Sequence, residues 1–341
     1  MGRPQPGPPQ KLNLISMNPL KQMLLRYFDM KFYQPIQKLL APILSGQSIS
    51  LLDIGAANGI APRWHHFKQH INYFGVEPDP RSEHSVLLKN SKSEFKSETL
   101  ITKALWSSEG TIQLNLCRKP MTSSTFKPNK QFASLFPDEE RFDVMETIKM
   151  PCTTVDAISA TLNQSFDVLK LDIQGAELEV LKGASASIGN SLAAEVEVEF
   201  HHMYEQQPLF DQIFAFMKSQ GFDFVDFITF YRFSPDINVG LGQLAFADAL
   251  FMRSPELISE SSDTSLIKRY SAICAIYERG DLLTRLSRAM SAHGLNVKLA
   301  SEIFELGSQI SIRNHKTLSK YTFASKLIQI QHPSARAHMV H

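Results

Sequence analysis

The chain has 341 residues, 43% hydrophobic and 20% charged, with a formal net charge of +1. That is enough apolar material for a sizeable core in one large domain with additions or in two domains, which excludes a chain disordered throughout. So little net charge argues against a nucleic-acid binder that works by neutralising phosphates. The scattered cysteines Cys117, Cys152 and Cys274 match neither a disulfide framework nor zinc spacing, and fit a reducing, cytoplasmic setting.

The opening MGRPQPGPPQK has no apolar core of a secretory signal, and residues 1–11 read as a disordered Pro/Gln tail. No run of about 18 apolar residues follows, so no integral membrane segment is expected. Residues 12–48 form an N-terminal helical segment, with Leu20, Met23, Leu24, Tyr27 and Phe28, then Ile36, Leu39, Leu40 and Ile43, at helical spacing. Pro35 and Pro42 cut it into short helices.

From residue 49 strand-length apolar runs alternate with helical stretches. ISLLDIG (49–55), NYFGVE (72–77), FDVLKLDI (166–173), AAEVEVEF (193–200), FDFVDFIT (222–229) and QLAFADALFM (243–252) read as buried strands. GAELEVLKGASASI (175–188) and PLFDQIFAFMKSQG (208–221) read as helices between them. The alternation predicts a doubly wound, mostly parallel sheet. The last two strands lack a helix between them, so one is free to run antiparallel. SPELISESSD (254–263) reads as a polar linker. Beyond it come amphipathic helices broken near Gly280, Gly294 and Asn314. Residues 254–341 carry eleven basic and seven acidic side chains. The ordinary reading of that surplus is a solvated face, with a homodimer contact, an anionic acceptor or a membrane surface as alternatives.

LLDIGAANG (51–59) is a strand that ends on an acid and turns through small residues into a helix. Such a turn exposes backbone N–H groups at the carboxyl edge of the sheet. A dinucleotide pyrophosphate needs G-x-G-x-x-G, but here the glycines are Gly55 and Gly59 with Ala57 between. Asp53 repels phosphate and suits a cation, which favours S-adenosylmethionine. Glu77 ends the next strand, where a carboxylate accepts ribose hydroxyls, and Pro78 stiffens the turn beyond it. The third strand group delivers Asp172 and Gln174 to the same edge, with Glu177 in the first turn of the following helix. Asp172 is the first candidate for a general base. Glu195, Glu197 and Glu199 share one face of a strand and run into His201 and His202. Three like charges in a row call for ion pairs, an acceptor or a metal; Glu197, Glu199 and His201 are assigned here to the catalytic side, and no metal ligand is assigned. The polar loop RKPMTSSTFKPNK (118–130) reads either as a cover that closes over an acceptor or as an ordinary flexible surface loop.

LLDIGAANG, YFGVEPDP, TKALWSSEGTIQL, TTVDAI, FDVLKLDIQGAELEVLKGA, EVEVEF and FADALF, in that order over residues 49–253, resemble the FkbM family of S-adenosylmethionine-dependent methyltransferases. The resemblance implies a class I methyltransferase (Rossmann-like) fold with a seven-stranded sheet, flanked by the N-terminal helices and a C-terminal helical extension over residues 254–341. It implies O-methylation of a sugar or glycosylated small molecule, so the expected partner is a small-molecule or glycan acceptor. Asp53, Gly55, Ala56, Asn58 and Gly59 then fall to the methionine end of the cofactor, Glu77 and Pro78 to the ribose, and Lys103, Ala104 and Leu105 to the adenine. The family places Asn directly after Gly-Ala, whereas Ala57 stands there and Asn58 follows. An NAD-type oxidoreductase and a non-catalytic scaffold of the same fold are the competing readings.

Overall fold

The computed structural model describes residues 35–79, 81, 95–135, 138–233 and 242–331, without the side chains of residue 58 and of residues 315–331. The expected tail over 1–11 and the helical pattern from Leu20 to Phe28 lie outside these residues. A helix over 35–43 (α1) leads into β1 (Ile49–Ile54), a one-turn helix α2 (Pro62–His65), β2 (Ile71–Val76) and β3 (Ser97–Ile101). Next come β4 (Ala104–Leu105), β5 (Gly110–Cys117), α3 (Lys130–Ala133) and β6 (Val144–Thr153). Then α4 (Val155–Leu162), β7 (Val168–Leu171), α5 (Glu177–Lys182), β8 (Ala193–Glu199), α6 (Phe210–Ser219), β9 (Asp223–Phe233) and β10 (Gln243–Met252) follow. The chain finishes on α7 (Pro255–Ser259), α8 (Thr264–Ile276), α9 (Gly280–Ala292) and α10 (Val297–Gln331).

Seven strands form one sheet in the order β3-β2-β1-β7-β8-β10-β9, parallel except for β10, which runs antiparallel to both neighbours. This is the doubly wound, mostly parallel sheet expected from the strand–helix alternation. Strand order reverses between β1 and β7, so the crevice at their carboxyl ends is the natural ligand site. The alternating strand residues divide the core. Leu51, Tyr73, Val168, Ala193 and Met252 face α1 and the C-terminal helices, while Leu52, Phe74, Leu169, Val196 and Phe251 face α4, α5 and α6.

The C-terminal helices therefore cover one face of the sheet. Ile273, Leu283, Leu286 and Ile303 are fully buried there. Polar ties reinforce the packing: Arg269 Nε donates to Asp167 (2.9 Å), Tyr270 Oη donates to the Arg253 carbonyl (2.7 Å), and Arg279 pairs with Asp226 (2.8 Å). Burying one leucine or isoleucine stabilises by about 1.5–3 kcal/mol, so four such side chains outweigh these surface-flanked ion pairs.

Several expectations need correction. The stretch after Gly59 forms only the single turn α2 and a 3-10 turn over Lys68–His70 before β2 begins at Ile71. Pro42 does not divide a helix; it lies in the last turn of α1. Residues 254–263 are not wholly linker: Ser254 caps α7 through its Oγ, and Pro255 and Ile258 are buried. Asn314 does not break a helix, since α10 continues through it and its Nδ2 donates to the Glu278 carbonyl (2.9 Å). A second sheet, β4-β6-β5, was not anticipated; β6 exposes most of its residues and so lacks a buried-strand pattern. Among the described residues no helix is long and apolar enough to cross a membrane.

Candidate active site

The turn after β1 is built around one glycine. Gly55 has φ +88°, and a Cβ there would lie 1.9 Å from the carbonyl oxygen of Asp172. No side chain fits, so the β1 turn and the end of β7 touch backbone to backbone. A second left-handed pair, Gln174 (φ 60°) and Gly175 (φ 103°), turns β7 into α5. Gln174 pays steric strain for that conformation and is pinned from several sides. Ser124 Oγ donates to its carbonyl (2.7 Å), and its Nε2 donates to Asp172 Oδ1 (3.2 Å) and Glu197 Oε2 (2.9 Å). The Tyr204 hydroxyl lies 3.0 Å from both Gln174 Oε1 and the Thr122 carbonyl.

These turns open into a cavity of about 300 Å³, at the lower end of the size of small-molecule sites. One half is lined by Gly55, Ala57, Glu77, Pro78, Ala104 and Leu105. Glu77 is 5% exposed; Oε1 accepts the Asp79 N–H (2.7 Å). Burial, with Asp79, Asp53 and Asp172 nearby, lifts its carboxyl to about 7 against the backbone hydrogen bond. The other half is roofed by Ile112 and Leu114 of β5, Met150 of β6 and Phe142, with Met203 and the stacked pair Tyr231–Phe246 (4.3 Å, 14°) at its side. From the 118–130 loop, Met121, Thr122 and Ser123 reach the cavity. Asp172 and Glu197 lie on the floor between the halves.

Behind the floor runs a row of paired charges. Asp53, Lys170 and Glu195 are register neighbours across β1, β7 and β8. Asp53 is fully buried and accepts from Tyr73 Oη (2.9 Å), with Lys170 Nζ at 3.2 Å. Lys170 also lies 3.8 Å from Asp172 Oδ2. Burial alone would lower the Lys170 ammonium, but Asp53 and Asp172 outweigh it and hold it raised. Glu195 is paired with Arg63 and accepts from the Tyr277 hydroxyl (2.7 Å) of the C-terminal extension.

A different group lies beside it. Glu177, Glu197 and Glu199 are all buried, with one carboxylate oxygen from each within 4.8 Å of the others. Burial, then the mutual repulsion of Asp172, Glu199 and Glu177, pushes Glu197 well above the usual carboxylate range; Glu199 is raised by the same causes. Burial raises Glu177 to about 7. Asp248, register partner of Glu197, is raised to about 6 by burial and by Glu195 and Asp172.

The residues expected at the site thus divide. Gly55, Glu77, Pro78, Ala104, Leu105, Asp172 and Glu197 line the cavity. Asp53 and Ala56 are buried outside the lining, and Gly59 closes the β1 turn at φ 73°. Asn58 contributes backbone to that turn, and its side chain is outside the description. Lys103 is exposed outside the lining. Glu199 is buried beneath the floor, and His201 stacks on Phe132 (5.8 Å, 23°) away from it. Arg63, Tyr204 and Tyr277 carry no local signal in the sequence and enter only through tertiary contact. Lys170 did give a signal, as a lone cation in an apolar strand.

A model of the methyltransferase FkbM domain matches residues 53–224, half of the chain. No curated protein matches. Among solved structures, magnesium protoporphyrin IX methyltransferase from Synechocystis PCC 6803 with bound SAM is 10% identical (TM-score 0.32), covering 65% of this chain and 80% of that one. A TehB-like SAM-dependent methyltransferase from Corynebacterium glutamicum is 12% identical (TM-score 0.28), covering 69% and 100%. A putative RNA methyltransferase from Pyrococcus horikoshii is 12% identical (TM-score 0.29), covering 64% and 81%. The fold rests on the strand order and register above, not on these likenesses.

Proposed function

The chain belongs to the FkbM methyltransferase family, and on that premise we propose that it moves a methyl group from S-adenosylmethionine to a hydroxyl oxygen of a sugar or glycosylated small molecule. The observation that carries this reading is one cavity that holds the Gly55 turn, the Glu77 carboxylate and Asp172 together. The donor set fits the cofactor. Glu77 keeps an oxygen to accept ribose hydroxyls, Ala104 and Leu105 offer an apolar wall for a purine, and the acidic floor suits a sulfonium and an ammonium group. That same acidity disfavours a dinucleotide pyrophosphate. S-adenosylmethionine supplies the electrophilic methyl carbon.

The protein's task is then alignment and proton removal. Asp172, on the floor between the two halves, accepts the proton of the acceptor hydroxyl as its oxygen attacks. Gln174 holds Asp172 Oδ1 and fixes the carboxylate's orientation, while Lys170 balances its charge from behind. The β5–β6 roof and the 118–130 loop exclude water. The Tyr231–Phe246 pair offers an aromatic face of the kind that sugar rings pack on. Three buried, free cysteines favour a reducing compartment, and we assign the protein to the cytoplasm on that ground.

Calorimetric titration with S-adenosylhomocysteine and, separately, NAD tests the cofactor reading. Saturable binding of S-adenosylhomocysteine alone is expected; binding of NAD alone would overturn it in favour of an oxidoreductase. A screen of hydroxylated acceptors with labelled S-adenosylmethionine then tests the acceptor class, with label on oxygen expected. Label carried only on nitrogen or carbon acceptors would overturn the hydroxyl assignment.

A further inference from the structure

We propose that Glu177, Glu197 and Glu199 form a site for one divalent cation of the magnesium, manganese or calcium class, at the inner end of the cavity. The three side chains come from two elements, α5 and β8, and all are 5% exposed or less. One oxygen of each lies within 4.8 Å of the other two, the spread that oxygens around a single ion adopt at bond lengths of about 2.0–2.6 Å. Oxygen-only donors with no histidine or cysteine select hard cations over zinc or copper.

The acids alone would be only a cluster. What points to a ligand is what their oxygens lack. Glu177 Oε2 and Glu199 Oε2 are sealed from solvent and have no hydrogen-bond partner. Leaving such groups unmet is costly, and for an ionised carboxylate the cost is several kcal/mol. Among the described residues no lysine or arginine forms an ion pair with any of the three, and Lys170, on the neighbouring strand β7, is taken by Asp53 and Asp172.

Protein donors meanwhile hold the opposite sides of these carboxylates. The Ile173 N–H donates to Glu177 Oε1 (2.8 Å), and Gln174 Nε2 to Glu197 Oε2 (2.9 Å). The buried Gln207 amide faces Glu199 without closing a hydrogen bond of good geometry, its Oε1 being engaged by the Tyr204 N–H (3.0 Å). Outer donors that hold one oxygen of a carboxylate and leave its other unclaimed are the usual setting of a metal ligand. Entry is through Glu197, which lines the cavity beside Asp172. On the methyl-transfer reading, a cation there would draw an acceptor hydroxyl oxygen towards it and ease loss of its proton to Asp172.

The test is titration of the purified protein, treated with chelator, with MnCl2, MgCl2 and CaCl2 by calorimetry, and with Mn2+ by electron paramagnetic resonance. One saturable site for at least one of these ions is expected. Glu199→Gln, which lies outside the cavity lining, should weaken it at least about tenfold while S-adenosylhomocysteine affinity is kept. No saturable binding of any of the three ions would overturn the site, leaving protons to neutralise the acids. Unchanged ion affinity in a folded Glu199→Gln variant would overturn it as well. If that variant does not fold, the resonance titration of the unaltered chain decides alone: loss of the free-ion signal at one equivalent supports the site, and a fully free signal overturns it. Ion binding without S-adenosylhomocysteine binding would fail the methyltransferase reading and leave this site standing.

Discussion

Asp53 and Glu195 are buried acids with a cation at each carboxylate; Glu197 and Glu199, on the same strand as Glu195, are buried acids with none among the described residues. Burial is similar, so burial does not explain the difference. Neighbours do. The first pair sits in the middle of the sheet, where β7, α2 and the end of α8 deliver Lys170, Arg63 and Tyr277. The second pair lies at and beneath the cavity floor, where Gln174 reaches Glu197 and Gln207 faces Glu199. A protein that neutralises one group with its own side chains and leaves the other unneutralised has assigned the first to folding and kept the second for something it binds.

The sharpest way to break that contrast is at Glu195. Glu195→Ala strands Arg63 and the Tyr277 hydroxyl, and should cost about 3–5 kcal/mol of stability, read by urea unfolding. Little change would mean that the paired row is not structural. At the other end of Lys170's reach, Asp172→Asn should lower turnover about 100-fold with S-adenosylhomocysteine affinity within about twofold. A fall in affinity with unchanged turnover would move Asp172 to the binding side. Glu77→Ala should weaken S-adenosylhomocysteine by roughly tenfold to a hundredfold, since hydrogen bonds to a charged group are worth about 1.5–3 kcal/mol. Unchanged affinity would remove the ribose assignment.

A smaller effect concerns pH. The Glu77 carboxyl, raised to about 7 beside Asp79, Asp53 and Asp172, holds a proton in the folded chain that the unfolded chain has lost. Its contribution to stability is therefore full at acid pH and declines as pH rises from about 4.5 through 7. Ribose hydroxyls donate to the ionised form, so S-adenosylhomocysteine affinity should climb, by up to about tenfold, between pH 6 and 8. Glu77→Gln should flatten that climb; a climb of equal size in the variant would place the titrating group elsewhere. The smallest effect is expected at Glu199→Gln without added ions. Replacing a buried carboxyl that has no cation partner should leave stability within about 1 kcal/mol of the parent or raise it, in contrast to Glu195→Ala.

The sheet was legible because its signals are local. Strand-length apolar runs marked β1, β7, β8 and β10, and the missing helix before β10 left room for its reversed direction. Gly55 was legible as a small residue in a ligand-facing turn, though not that its missing side chain makes room for the Asp172 carbonyl. Strand β6 was not, because residues 144–150 face solvent too often to show burial, and the whole second sheet went with it. Glu177 read as a charge at a helix start; only packing of α5 against β8 brings it to Glu199, twenty-two residues on. Tyr277 lies more than eighty residues from its partner Glu195, and nothing in the neighbourhood of either announces the other.

The roof of the cavity is one continuous piece of chain. It leaves the body at β4 and returns at the end of β6, and these two points are hydrogen-bonded neighbours, Ala104 against Cys152 and Leu105 against Thr153. An insert whose ends already touch can be exchanged without stretching what holds it. Residues 106–151 could be replaced by the equivalent span of a relative while Gly55, Glu77 and Asp172 stay where they are, provided that a hydroxyl at position 124 still holds the Gln174 carbonyl. Acceptor choice and methyl-donor binding would then change independently, which gives selection, or a protein engineer, a way to retarget the enzyme without rebuilding it.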